Sequence, residues 1–203
     1  LISYITFNQK RELKHLMEPE YVDSKCYLSL NKETIKNLEL TETIRNKDRM
    51  YSLLWLLDKT KTSMGSRLLK EFILKPLTNV KDIEERHDLI ELLNKEFLLK
   101  SELKEFLYEI YDLERLVGKV SISSVNARDL LQLKNSIRVL PDINLILESL
   151  NLEKVKVFPE LYDLLENSID IDAPITIKEG GIIKTGFSSE LDELKSIRKN
   201  GKD

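Results

Sequence analysis

The sequence predicts a mainly α-helical bundle with a short β element near each end. Three observations carry this. Glycine and proline are scarce, at 6 and 5 of 203 residues, which favours long helices over turn-rich β architecture. Leu, Ile, Glu and Lys dominate, and these suit helix interiors, Ile the least of them. Apolar residues recur at spacings of three and four through most of the chain, the signature of one helical face.

Residues 1–16 carry Ile2, Ile5, Leu13 and Leu16 in a broken helical stripe. Pro19 ends it, because proline lacks an amide donor and crowds the preceding turn. Tyr27-Leu28-Ser29-Leu30 is a short extended candidate. Asn31 can cap a helix through Leu38 by accepting an orphan amide. Leu38-Glu39-Leu40-Thr41 alternates, predicting a second short strand. Ser52 opens a helix to Leu57, with Leu53, Leu54 and Leu57 on one face. Helix resumes after Thr62 and runs to Lys75, with Met64, Leu68, Leu69 and Phe72 as its buried stripe, and Pro76 stops it. Asn79 caps a helix over 80–94. Val80, Ile83, His87 and Ile90 recur there at helical spacing, and Asp82 sits near the positive end of the dipole.

Residues 97–107 and 110–117 give two more amphipathic segments. Ser124 is the expected cap of a helix reaching Leu140, with Ala127, Leu130, Leu133 or Lys134, and Ile137 inward. Pro141 can start the next helix, since a first turn does not need its missing N–H. Residues 159–167 form a further short helix. The texture then changes. Residues 171–177, with Asp172 and Pro174, read as irregular or extended. Gly180-Gly181 beside β-branched residues predicts a small hairpin over 179–187. Ser188 or Ser189 caps a final helix carrying Leu191, Leu194 and Ile197. No fixed period of solenoid length recurs, which excludes a repeat array.

A chain of this size buries a real core. Hydrophobic residues make up 41% and charged residues 33%, with a formal charge of −3. The signs are interspersed, as in Lys81-Asp82 with Glu84-Glu85-Arg86, so no basic stripe demands nucleic acid. The single cysteine, Cys26, excludes an internal disulfide, suits a reducing cytoplasm, and has no partner constellation that would make it a nucleophile. No apolar run reaches the length of a membrane span. The chain starts at Leu1 in mid-helix texture and ends at Asp203 on a charged stretch, which reads as a piece of a longer protein.

The most specific stretch is 52–76, where an apolar run meets the polar hinge Asp58-Lys59-Thr60-Lys61-Thr62-Ser63-Met64-Gly65 and a second amphipathic run follows. Asp and Thr side chains can cap or bend a chain by bonding nearby amides, and Gly65 permits close packing. A satisfied helix–helix junction is the expected reading. Lys59, Lys61 and Arg67 could contact phosphate, but no G-x-x-x-x-G-K-[ST] loop occurs. Gly180, Gly181 and Gly186 have the wrong spacing for a dinucleotide fingerprint and read as a tight turn. His15, His87 and Cys26 lack metal-ligand spacing. Glu84-Glu85 and Glu190 with Asp192-Glu193 read as solvated faces. Trp55, Phe72, Phe97, Phe106, Tyr108 and Tyr111 read as core packing rather than base stacking.

Residues 52–77 resemble the MutS pattern in which a Ser-Leu-Leu-x-hydrophobic-Leu-Asp run precedes Thr-Lys-Thr-x-Met-Gly-x-Arg-Leu-Leu and then Pro-Leu. Asn37-Leu38-Glu39-Leu40, Ile83-Glu84-Glu85-Arg86 with Ile90-Glu91, Asp112-Leu113-Glu114-Arg115-Leu116 and Ala127-Arg128-Asp129-Leu130 fall in matching order. So do Glu179-Gly180-Gly181-Ile182-Ile183, Gly186-Phe187 and Leu191-Asp192-Glu193-Leu194. The likeness to the MutS family of DNA mismatch-recognition ATPases covers nearly the whole chain.

The resemblance implies the core or lever region of that family. It divides the chain into the end of a connector or entry helix (1–16), the first segment of the core domain (17–187) and the start of a lever helix leading into the clamp (188–203). Catalytic, cofactor, metal and direct DNA contacts are expected to be absent from this segment. Asp58, Thr60, Lys61, Thr62, Met64, Gly65, Arg67 and Pro76 are its expected signature and structural hinge. In the longer protein the resemblance implies ATP and Mg, mismatched double-stranded DNA, a second MutS subunit and MutL, all in a bacterial cytoplasm. The alternatives are a family paralogue acting in recombination, a helical adaptor with no DNA role, and a free-standing hydrolase, for which no carboxylate constellation is visible.

Overall fold

The computed structural model describes residues 26–200 and, before them, residues 4, 7 and 8; for residues 198–200 it describes the backbone alone. The expected stripe over 1–16 and its stop at Pro19 therefore lie largely outside the described residues. The fold is mainly helical, as the composition predicts.

Helix α1, Lys32–Asn37, starts where Asn31 accepts the Thr34 amide at 2.7 Å. Residues 38–41 do not form a strand. Glu39 turns into positive φ, and the carbonyls of Glu39 and Leu40 instead accept the amides of Leu53 and Leu54 at 3.0 and 2.9 Å. Those are orphan donors of the first turn of α2, Leu53–Leu57, so the segment acts as a main-chain cap. Ser52, 1% exposed, completes the start by accepting the Trp55 amide. Of the face expected in α2 only Leu54 is buried; Leu53 and Leu57 are exposed.

Helix α3, Ser63–Leu74, begins at Thr62 as expected. Its stripe is shallower than the pattern suggests. Met64, Leu69 and Ile73 are half-buried, whereas Leu68 and Phe72 are exposed. The Phe72 ring is instead faced by the Arg86 guanidinium, 3.7 Å from its centroid, on α4, Val80–Lys95. A cation over a ring face satisfies an aromatic without burying it. Asn79 caps α4 by accepting the Lys81 amide. Ile83, Arg86 and Leu93 form its inner side, and Val80, His87 and Ile90 are exposed, contrary to the expected stripe.

Helix α5, Phe97–Tyr108, packs on α4 and on α8. Helix α6, Leu113–Ser121, starts later than expected because Asp112 is the residue that caps it. Helix α7, Ala127–Arg138, is capped by Asn126 rather than Ser124, through a reciprocal box with Asp129. Ala127, Lys134 and Ile137 are buried as predicted. Helix α8, Leu140–Ser149, and helix α9, Pro159–Ser168, both carry proline in the first turn.

The core lies where α7 and α9 meet: Ala127, Leu165, Ile169 and Ala173, with Leu130, Leu131, Leu133, Ile182 and Ile183 against them. Val139, Leu140, Ile143, Ile146 and Leu150 extend it along α8. Trp55, Phe97, Tyr108 and Tyr111 are exposed and do not belong to it, which corrects the expected role of these aromatics. Cys26 is exposed.

The expected β elements reduce to two isolated bridges among the described residues, Tyr27 with Leu77 and Ile169 with Ile183. The predicted hairpin does not form. A single 3-10 turn, Ile177–Glu179, leads into Gly180 and Gly181, both at positive φ, and the β-branched residues after them pair with the end of α9. Asp170 donates to Ile182 and Lys184 to Ser168, each at 2.8 Å. The glycines do form a turn, but the segment's partner is a helix terminus. The final helix, α10, Ser189–Asn200, has Ser188 at its start, whose hydroxyl accepts the Leu191 amide. Among the described residues, no helix is long and apolar enough to cross a membrane.

Candidate functional site

The hinge between α2 and α3 is a closed polar knot. Asp58 ends α2, and its carboxylate accepts from the Thr60 amide at 3.1 Å, the Thr60 hydroxyl at 2.6 Å, the Ser66 hydroxyl at 2.5 Å and the Arg49 guanidinium. With its side chain only 11% exposed, Asp58 would be costly without these donors. They hold its carboxyl well below the usual carboxylate range, Ser66 contributing most, then Thr60. One anion thus binds the end of α2, the turn and the first turns of α3.

Thr62 does the second part of the job. Its hydroxyl accepts the Gly65 amide at 3.0 Å and caps α3. A Cβ placed on Gly65 would lie 3.0 Å from that same hydroxyl and 3.4 Å from the Thr60 Cβ. Close approach rather than backbone angle is what favours glycine here. Met64 is half-buried beside it, and Lys59 is exposed.

Arg67 ties the knot to the bundle. Its guanidinium meets Asp112 with two hydrogen bonds, at 2.8 and 2.7 Å, and Glu114 with two more, at 3.0 and 2.6 Å. Asp112 also accepts the Arg115 amide as the cap of α6. Arg67 therefore grips the start of α6, where an anion is already favoured by the helix dipole. The grip, Arg67 first among its causes, lowers the Asp112 carboxyl to about 2. Asp112 and then Glu114 raise Arg67 further above its usual range. Lys61 lies over the Tyr108 ring, 4.4 Å from its centroid, and donates to the Tyr108 hydroxyl at 2.6 Å.

Two further contacts carry the grip inward. Tyr111 donates its amide to Ser136 of α7 at 2.9 Å, and Ser136 is fully buried. Lys119 of α6 pairs with Asp129 of α7 at 2.7 Å and, with the Asn126 amide, lowers its carboxyl. Pro76 lies at the far end of α3, where its carbonyl accepts the Leu28 amide at 2.8 Å.

The structure thus brings Asp58, Thr60, Thr62 and Gly65 into one hydrogen-bonded knot, while the neighbouring Lys61 and Arg67 reach away from it to Tyr108 and to Asp112 and Glu114. It leaves Pro76 and Met64 outside. The sequence reading missed Arg49, Ser66, Tyr108 and Ser136. Asp112 and Glu114 belong to the Asp112-Leu113-Glu114-Arg115-Leu116 run, yet nothing in their spacing names Arg67 as partner. Lys61 and Arg67 engage Tyr108, Asp112 and Glu114. Among the described residues no group of three or more His, Cys, Asp or Glu side chains converges as a metal site.

Fold and site together define a helical module built around a charged joint. The chain belongs to the MutS domain III family, whose model matches residues 33–200. It is 44% identical over 207 residues to the DNA mismatch repair protein MutS of Macrococcus caseolyticus (strain JCSC5402). It is 43% identical over 210 residues to that of Bacillus subtilis (strain 168), and 41% identical over 208 residues to that of Staphylococcus aureus (strain Newman). Each match covers 100% of this chain and 24% of the relative, so the chain spans about a quarter of the length of these proteins.

Proposed function

We propose that this segment is a non-catalytic mechanical module of a DNA mismatch-repair ATPase, holding and relaying geometry between a nucleotide site and a DNA clamp elsewhere in a longer protein. The observation that carries this reading is the double grip of Arg67 on Asp112 and Glu114, which locks the α2–α3 joint to the bundle. Helices are stiff along their axes, and a packed interior moves between discrete arrangements rather than deforming continuously. Coupling two distant sites needs such an element. The relatives, DNA mismatch repair proteins, supply the mismatch-repair context.

In that setting the longer protein binds ATP with Mg and mismatched duplex DNA, pairs with a second subunit and recruits MutL in the bacterial cytoplasm. The residues here do not fit the nucleotide: no glycine-rich loop followed by Lys-Ser or Lys-Thr occurs in the sequence.

The isolated chain provides a direct test. Fluorescence anisotropy with homoduplex and mismatched oligonucleotides is expected to show weak binding without preference, and an ATPase assay no turnover. Tight, mismatch-selective binding or ATP hydrolysis by this chain alone would overturn the reading.

A further inference from the structure

Helix α10 is fastened to the segment before it. Lys195 donates to the Ile183 carbonyl at 2.8 Å, and Asp192 accepts the Gly186 amide at 2.7 Å. Leu194 and Ile197 remain exposed. Among the described residues no other helix packs extensively along α10. The direction in which it leaves the bundle therefore depends on what holds residues 182–187.

Main-chain bonds to Ser168 and Asp170 and the packing of Ile182 and Ile183 anchor that segment, and Glu166 of α9 adds a charged side-chain tie to it. Its carboxylate is divided: one oxygen accepts from Lys134 of α7 at 2.7 Å, the other from Lys184 at 3.4 Å. The same Lys184 ammonium donates to the Glu166 main-chain oxygen. The Lys134 side chain is 10% exposed, so its charge requires this partner; Lys184 and Glu166 are about a third or more exposed. A buried cation, a shared carboxylate and a partly exposed second cation make an arrangement suited to fixing geometry more than to adding net stability.

We infer that the Lys134–Glu166–Lys184 triad is a latch that sets the exit direction of α10 from the bundle. Lys184 is the release point, because its removal leaves the buried Lys134–Glu166 pair intact. The inference deepens the mechanical reading above, on which its biological use rests. Its test reads only the position of α10 and can fail while nucleotide coupling is normal, or succeed while coupling is absent.

The experiment is a spin-label distance measurement on the full chain, with Cys26→Ser and labels at Lys104→Cys on α5 and Glu193→Cys on α10. Lys184→Met is expected to raise the ratio of unlatched to latched conformers roughly three- to tenfold, as loss of one partly exposed, solvent-screened hydrogen bond implies. The distance distribution then gains a new population. Lys184→Arg should restore the single distribution. Ile146→Val, a core change of modest cost in α8, should leave it unchanged. Should Lys184→Met lower the folded fraction, Lys184→Gln reads the same population. An unchanged distribution with Lys184→Met, or equal broadening with Ile146→Val, would overturn the latch.

Discussion

Arg67 and Asp112 meet through two parallel hydrogen bonds, at 2.8 and 2.7 Å, and this pair joins the polar knot of the α2–α3 hinge to the first turn of α6. Asp112 simultaneously caps α6, so one carboxylate serves a helix start and a tertiary tie. The planar fork of arginine is what makes this possible. An ammonium lacks that rigid, parallel pair of donors.

Arg67→Lys keeps the charge and loses the fork. Its expected cost is about 1–2 kcal/mol, with Arg67→Ala costing more because Asp112 is left largely buried without its main donor. Urea unfolding midpoints followed by circular dichroism test this order. Equal midpoints for wild type and Arg67→Lys would show that geometry at this pair is unimportant.

Acid should weaken the fold through its depressed carboxylates. Asp58 and Asp112 both lie below their ordinary value of 3.8, Asp112 at about 2. A lowered folded-state value means stability that is present above about pH 4 and is lost as pH falls through the folded value. Asp129 and Glu166 are lowered too and act in the same direction. The Asp112 share is at most about 2 kcal/mol, since its partner guanidinium is partly exposed. Unfolding free energy measured from pH 7 to pH 2 should be flat to about pH 4 and then fall. Asp112→Asn should flatten that fall, and a rise on acidification would contradict the assignment.

Ser136→Ala removes the acceptor of the Tyr111 amide inside the protein. A fully buried amide left without an acceptor costs about 1–3 kcal/mol, and this bond is partly buried, so the expected loss is at the lower end, about 1 kcal/mol. Amide exchange at Tyr111 should accelerate together with the loss in unfolding free energy. Unchanged exchange at that amide would remove Ser136 from the path between α6 and α7.

Gly65 and Thr62 should be strongly coupled. Gly65→Ala alone forces its new methyl against the Thr62 hydroxyl 3.0 Å away and should destabilise. In a Thr62→Ala background the crowding is gone, and the better helix propensity of alanine, about 1 kcal/mol, should make the same change neutral or stabilising. Additive effects in a double-mutant cycle would mean the close approach has no energetic content.

Much of the fold was legible because helix starts are chemically explicit. Asn31, Thr62, Asn79, Pro141 and Pro159 each announce a first turn through a side-chain acceptor or a missing donor. The inward face of α7 was legible from its spacing of three and four, although its start was not, since Asn126 rather than Ser124 caps it. The β elements were not. Alternation at 38–41 and the Gly-Gly at 180–181 signal extended backbone and a turn, but not the partner, and here the partners are the start of α2 and the end of α9. The stripe of α3 misled at Phe72, whose ring is faced by the Arg86 guanidinium of α4 instead of being buried. The hinge itself was legible as polar and specific. Its locking residues, Arg49, Asp112 and Glu114, come from the loop before α2 and from α6, and only folding brings them to Asp58 and Arg67.

The most direct test of the central claim is mismatch-stimulated nucleotide exchange in a full-length MutS protein carrying this segment with Gly65→Val. The substitution presses on the Thr62 cap and should alter the angle between α2 and α3. The account predicts a folded protein whose basal exchange persists and whose stimulation by mismatched DNA is largely lost. Normal mismatch stimulation in that folded variant would contradict it.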